Sequence, residues 1–310
     1  MCNMLSNHPP SPIQELGDER LAAKGIRLLV KRDDLLRLNE QSAFCGNKWR
    51  KLKYNLKAMR RRELSTLLTF GGAFSNHLAA VAEAGQAFGF QTIGIVRGEK
   101  QLNSTLQFCE AQGMQLQFIS RSAYREKNNP DFIKKLALQF GDFYLLPEGG
   151  TNALALDGCR EIVAEINQQL GHQSPDFIAV ACGTGGTLAG IVQGLQGKNH
   201  AIGFATLKGD FLHQEVAQMI AATTTNWHIQ NDYHLGGYAK FSPDLIHFIN
   251  HFKKDFDIQL DPIYTGKMFF GLFDLIQKGF FSPGSTILAV HSGGIQGIAG
   301  FNKRFGDKIL

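Results

Sequence analysis

The chain has 310 residues, 44% of them hydrophobic and 19% charged, a balance typical of folded domains that excludes disorder and an extended coiled coil. That length exceeds what one hydrophobic core usually organises, so one large or two medium domains are expected. The formal charge of +5 is too small to imply nucleic acid, and no apolar run approaches the roughly 20 residues of a membrane span.

Glycine is frequent, 34 residues, and clusters where predicted strands end. After Pro9, Pro10 and Pro12, Ile26–Lys31 reads as a short strand with Arg32-Asp33-Asp34 as its polar exit. Residues Lys48–Glu63 are helical by period, with Trp49, Leu52, Leu56 and Met59 on one stripe. Strand Leu64–Phe70 ends in Gly71-Gly72, and Leu78–Phe88 is an Ala-rich helix closed by Gly89. Strand Gln91–Val96, helix Ser104–Gln112, strand Gln115–Ile119, helix Pro130–Phe140 and strand Phe143–Leu146 follow. Then come helix Asp157–Leu170, strand Phe177–Cys182, helix Leu188–Leu195, helix Lys267–Lys278 and strand Thr286–His291. Apolar strands alternating with helices predict an α/β fold with parallel sheets covered on both faces. Five scattered cysteines (Cys2, Cys45, Cys109, Cys159, Cys182) without a C-x-x-C pair point away from disulfides and zinc, toward a reducing cytoplasm. The start MCNMLSNHPPSPIQEL has no basic region leading into an apolar stretch, so no secretory signal is expected.

Three strand ends and one helix mouth carry candidate chemistry. Gly183-Thr184-Gly185-Gly186-Thr187 lets backbone N–H groups curl around an anion at the positive end of the next helix, or else is a tight turn with no ligand. It lacks G-K-[ST] and G-x-G-x-x-G, so a phosphate monoester fits better than ATP or NAD. In Gly46-Asn47-Lys48, an amine among Arg50, Lys51 and Lys53 should titrate low, as a Schiff-base lysine requires; a solvated basic helix or an RNA-binding face extending to Arg62 is the competing reading. Ser75-Asn76-His77 enters a helix and either holds a carboxylate or simply caps it. His291-Ser292-Gly293-Gly294 repeats the theme, and Tyr238 and Tyr264 lie in Gly-flanked loops where packing roles are also common. His247 and His251 share a helix face, but without the Glu of H-E-x-x-H or a third ligand they read as paired surface histidines, and no metal is expected.

Together these motifs resemble the pyridoxal-phosphate enzymes that include 1-aminocyclopropane-1-carboxylate deaminase and D-cysteine desulfhydrase, from Lys31-Arg32-Asp33-Asp34 to His291-Ser292-Gly293-Gly294. The resemblance implies two open, twisted, mostly parallel sheets with helices on both faces, a tryptophan synthase beta-like, fold type II arrangement. It implies a large cofactor-binding domain of residues 1–52 plus 160–310 and a smaller inserted α/β domain, 53–159. Lys48 matches the Schiff-base lysine, Lys51 a phosphate contact, and Asn76 the partner of the cofactor's 3-hydroxyl. Ser75 and His77, with Asn76 between them, fall where the substrate carboxylate is held. Gly183, Thr184, Gly185, Gly186 and Thr187 match the phosphate cradle, and Tyr238 and Tyr264 the active-site tyrosines.

Three positions separate the family's branches. His77 follows Ser75-Asn76 as in the desulfhydrases, where deaminases carry Gln; Thr265 replaces the deaminase Glu; Ser292 keeps a hydroxyl where desulfhydrases have Thr and deaminases Leu. A neutral hydroxyl at the pyridine nitrogen gives a shallower electron sink than a carboxylate. Expelling thiolate after loss of an α-proton needs less of that sink than opening a cyclopropane. The expectation is therefore a lyase acting on D-cysteine by β-elimination, with the cyclopropane deaminase as the alternative and a non-catalytic amino-acid-binding relative as a reading of another class. A small amino acid is the expected partner, with neither nucleic acid nor membrane, in a cytoplasmic homodimer.

Overall fold

The computed structural model describes residues 8–100, 103–171 and 173–310, so Cys2 lies outside the described residues. Strands β1 (Ile13–Glu15) and β2 (Arg27–Lys31) flank helix α1 (Glu19–Ala22), and α2 (Asn47–Arg61) follows. The next stretch holds β3 (Thr66–Gly72), α3 (Asn76–Phe88), β4 (Gln91–Arg97), α4 (Ser104–Ala111), β5 (Gln115–Ile119), α5 (Arg121–Arg125), α6 (Pro130–Phe140) and β6 (Tyr144–Leu146). The chain then forms α7 (Ala153–Leu170), β7 (Phe177–Cys182), α8 (Gly186–Leu195), β8 (His200–Ala205), α9 (Phe211–Ala217) and β9 (Trp227–Gln230). It closes with α10 (Pro243–Phe256), α11 (Thr265–Gln277), β10 (Thr286–Val290) and α12 (Gly297–Phe305).

These strands make two sheets. One has the order β1-β2-β10-β7-β8-β9, parallel except for β1, which runs against β2; the other has the order β5-β4-β3-β6 and is parallel throughout. The alternating side chains of a strand feed two cores. Leu28 and Val30 of β2 join the cluster under α10 and α11, while Leu29 joins the one under α7 and α8. The smaller sheet is covered in the same way, by α2 and α3 on one face and by α6 on the other.

Most expected elements are present with shifted ends. Strand β3 runs on through Gly71 and Gly72, which stay paired with Val96 and Arg97, because a glycine can remain in a ladder when its neighbour strand continues. Helix α3 begins at Asn76 because Ser75 caps it, its Oγ accepting from the Leu78 N–H at 3.2 Å. Gly89 closes it in the left-handed conformation, φ 71°. Asn152 likewise starts α7 four residues before the expected Asp157. Residues 196–266, which carry no expected element, hold β8, α9, β9 and α10; strands of six and four residues and a seven-residue helix are too short to display a period. The signal for α10 was present, a Ser242 cap followed by Pro243 in the first turn.

The glycine-rich segments at 71–72, 183–186 and 293–294 sit at the carboxyl ends of β3, β7 and β10, where open α/β sheets place their ligands.

Candidate active site

Lys48 lies in the first turn of α2. The turn before it is forced against the end of β10: Gly46 has φ +57°, and a Cβ there would stand 2.1 Å from the Ser292 carbonyl oxygen. The Asn47 N–H donates to that same oxygen at 3.1 Å, and Asn47 Nδ2 donates to Thr187 Oγ1 at 3.1 Å. Lys48 Nζ donates to Asn47 Oδ1 at 2.9 Å, so one residue links the lysine to both the β7 and β10 exits. Burial, and after it the neighbouring Lys51 cation, brings the Lys48 amine down to about 7.

The expected cationic cluster needs correction. Arg50 is buried and fully engaged, donating to both oxygens of Asp33 (2.6 and 2.7 Å) and both of Glu165 (2.8 and 2.9 Å). Lys31 joins Glu165 at 2.8 Å, and Lys53 pairs with Glu161 at 2.7 Å. Of the three named neighbours, Lys51 is the one without a carboxylate partner. The run 48–62 is therefore no single basic face: its middle is packed inward, and only Arg60, Arg61 and Arg62 are exposed.

Lys51 connects to the β7 turn. Its Nζ donates to the Gly149 carbonyl at 3.1 Å and to Thr151 Oγ1 at 3.0 Å, and Thr151 Oγ1 meets Thr184 Oγ1 at 2.8 Å. Gly183 abuts the Tyr264 ring, and Gly185 sits at φ +75° against Val216, leading Gly186 and Thr187 into the first turn of α8. Helix-start N–H groups, three hydroxyls and an ammonium make a donor set suited to a phosphate dianion. Gly149, Gly150 and Thr151, not among the expected site residues, belong to this cluster; the glycine pair after β6 reads in the sequence only as a Gly-rich exit.

The facing wall starts at Ser75 and Asn76, at the mouth of α3. The Asn76 side chain lies beside Gly294, whose Cβ would be 3.2 Å from Nδ2, and a carboxylate oxygen of Asp261 borders the same glycine. His77 turns away from this opening. Its imidazole is buried, Nε2 lies 2.8 Å from Thr69 Oγ1, and Nδ1 has no partner beside Gly150. Burial and the two lysine cations hold it well below the usual imidazole range, hence neutral.

Tyr238 and Tyr264 stand edge to face, ring centres 6.3 Å apart, and the Tyr238 hydroxyl donates to the Phe74 carbonyl at 3.0 Å. Burial pushes Tyr238 up to about 12 and Tyr264 well above the ordinary phenol value. Thr265 is wholly buried, and its hydroxyl donates to Asp261 Oδ1 at 2.8 Å. Asp261 also accepts the N–H groups of Ile263, Tyr264 and Thr265, so it caps α11. This corrects the expectation of purely neutral surroundings: a carboxylate lies one hydrogen bond behind Thr265. Asp-Pro ahead of a helix was the sequence signal for it. Ser292 is buried at the β10 exit, next to His291, whose Nδ1 accepts from the Gly293 N–H at 3.3 Å, leaving Nε2 to donate to the Gln259 carbonyl at 2.6 Å.

Elsewhere, His247 and His251 are exposed and lie ring on ring on α10. Among the described residues no group of three or more His, Cys, Asp or Glu stands ready for a metal, and no helix is long and apolar enough to cross a membrane. Cys45, Cys109, Cys159 and Cys182 are free and buried.

The family profile described as "Pyridoxal-phosphate dependent enzyme" matches residues 6–293. A Thermotoga maritima protein provisionally named 1-aminocyclopropane-1-carboxylate deaminase is 31% identical, over 95% of this chain and 97% of its own. The Arabidopsis thaliana bifunctional D-cysteine desulfhydrase/1-aminocyclopropane-1-carboxylate deaminase, mitochondrial, is 29% identical over 94% of this chain and 78% of its own. A crystal structure of an ACC deaminase homologue superposes with TM-score 0.81 at 27% identity, covering 99% of both chains. The depressed lysine, the phosphate-ready donors and the two-sheet architecture agree with these matches: the chain belongs to the pyridoxal-phosphate dependent enzymes, has their fold type II architecture, and uses pyridoxal phosphate as its cofactor.

Proposed function

We propose that the chain is a lyase that eliminates the β-substituent of a small amino acid, D-cysteine first, releasing pyruvate, ammonia and sulfide. The observation that carries this reading is the contrast in proton affinity across the opening: a lysine at about 7 opposite two phenols raised above 10. At neutral pH the amine is available as a base, and both phenols keep their protons and can act only as acids or donors.

In this reading Lys48 holds the cofactor through its amine, Asn76 meets its 3-hydroxyl, and Thr265 and Ser292 meet its ring nitrogen. Lys51, Thr184, Thr187 and the N–H groups of Gly183, Gly185 and Gly186 hold its phosphate. Bound pyridoxal phosphate supplies an electron sink for the charge left at the substrate α-carbon. Ser75 and the first-turn N–H groups of α3 hold the substrate carboxylate, Lys48 takes the α-proton once the substrate amine has displaced it from the cofactor, and Tyr238 or Tyr264 protonates the departing sulfur. We further assign a large domain to the six-stranded sheet and a smaller one to the four-stranded sheet, with the expected boundaries at 52/53 and 159/160 falling inside α2 and α7, in a cytoplasmic homodimer.

One observation favours the cyclopropane deaminase as a second reading. Asp261 accepts the Thr265 proton and its N–H donates back to the same hydroxyl at 3.1 Å, so the one remaining lone pair of Thr265 can only accept and favours a protonated ring nitrogen, which deepens the sink. Parallel assays of D-cysteine, L-cysteine, D-serine, β-chloro-D-alanine and the cyclopropane acid decide between them. Pyruvate and sulfide from D-cysteine are expected; cyclopropane opening with no elimination from D-cysteine overturns the first reading.

A further inference from the structure

The segment from His234 to Lys240 is held in a costly conformation. Leu235 and Ala239 have φ of 53° and 56°, and Gly236 and Gly237 between them are also positive, at 91° and 113°. Non-glycine residues adopt this region at a cost of order 1–2 kcal/mol each, so something outside the segment must hold it. Its internal bonds are two short backbone turns, Gly237 N–H to the His234 carbonyl at 3.0 Å and Lys240 N–H to the Gly237 carbonyl at 3.2 Å, and one side-chain bond, Gly236 N–H to His234 Nδ1 at 2.9 Å. The two carbonyls that close those turns converge on one ammonium. Lys267 Nζ donates to the His234 oxygen at 2.8 Å and to the Gly237 oxygen at 2.7 Å.

Lys267 is 1% exposed and sits on α11, three residues beyond Tyr264. Burying an ammonium is unfavourable unless acceptors replace its water, and here backbone carbonyls do so. Burial lowers its proton affinity to about 8, opposed by the Asp261 carboxylate nearby. Tyr238 follows Gly237 directly, and its hydroxyl reaches across to the Phe74 carbonyl, in the segment that leads from β3 of the small sheet into Ser75. The large-sheet and small-sheet walls therefore meet at Tyr238, on a segment whose shape depends on a lysine.

We propose that Lys267 is a positioning residue for the reaction: by clamping the His234 and Gly237 carbonyls it fixes where the Tyr238 hydroxyl stands over the substrate opening. An uncharged side chain of similar length leaves both carbonyls without this donor and frees the turn to relax out of its positive-φ conformation. The inference rests on Tyr238 facing substrate, as in the lyase reading above.

The test compares Lys267→Met, Tyr238→Phe and the double variant as holoenzymes. Hydrogen exchange of peptides spanning 231–241 should speed up tenfold or more in Lys267→Met, while peptides from β7 and β10 keep wild-type rates. With D-cysteine, kcat/KM should fall about tenfold to a hundredfold, chiefly through kcat. Added to Tyr238→Phe, the lysine change should cost little further, because both act through one hydroxyl. Unchanged exchange at 231–241, or a full multiplicative loss in the double variant, overturns the proposal. Should Lys267→Met fail to fold, Lys267→Gln, which keeps an amide donor, carries the same comparison with smaller effects in the same direction. Faster exchange in an enzyme that does not act on D-cysteine would instead refute the lyase reading and leave the clamp standing.

Discussion

Gly46→Ala should disable the enzyme by moving the helix that bears Lys48. The new Cβ would lie 2.1 Å from the Ser292 oxygen, 2.6 Å from its carbonyl carbon and 3.0 Å from the Gly293 nitrogen. All three are backbone atoms, so no rotamer change relieves the contact. The shortest is about 1 Å inside ordinary van der Waals separation, and that gap must open between α2 and the β10 exit. It opens at the point where Asn47 N–H meets Ser292, one residue before the lysine. A displacement of this size near reacting groups costs roughly a hundredfold in rate. Strain at a backbone conformation that favours glycine (φ 57°, ψ −131°) and overpacking together remove about 2–6 kcal/mol of stability. The control is Gly89→Ala, in the left-handed region (φ 71°, ψ 45°) with nothing within 4 Å of the added carbon, which should lose stability from its own milder strain and keep full turnover. Steady-state kinetics with thermal unfolding of both variants make the comparison. Equal kcat/KM for Gly46→Ala and Gly89→Ala would refute the claim that this contact sets the position of Lys48.

Lys48→Ala should abolish turnover and the lysine-linked cofactor absorbance while leaving weaker cofactor binding through the phosphate donors; borohydride reduction of the wild type followed by peptide mapping should label Lys48, and a label elsewhere reassigns the site. Lys51→Met removes the nearby cation that helps hold Lys48 down, so the midpoint for acetylation of Lys48 in cofactor-free protein should rise above about 7. The sign follows from charge: losing a positive neighbour favours the protonated amine, and slower acetylation at pH 7 is the readout. An unmoved midpoint would leave burial as the whole cause.

Two of the discrepancies between expectation and structure share a cause. Arg50 and Lys53 were legible as cations but not as paired ones, because their partners Asp33, Glu165 and Glu161 come from distant parts of the chain. Breaking the Arg50 cluster would strand a buried guanidinium, so its place is in holding α2 against β2 and α7 rather than in tuning Lys48. Asp261 was missed for the opposite reason: it is four residues from Thr265, yet only the start of α11 turns its carboxylate onto that hydroxyl.

Apart from the five-residue α5, the order of strands and helices from β2 to α8, and again from α11 to β10, was present in the sequence because their apolar periods and glycine stops are local properties. So were the glycine-rich strand ends and the lysine entering α2, since close backbone approach needs glycine wherever it occurs. Tertiary structure alone decided the rest. It split the strands into sheets of six and four, because pairing partners are set by packing and not by neighbouring residues. It turned the His77 ring inward to Thr69 while its neighbour Asn76 faces Gly294, because successive first-turn residues of a helix point about 100° apart. And it brought Lys267 under the Tyr238 turn across a gap of thirty residues, where a buried ammonium finds two carbonyls that no local pattern could have announced.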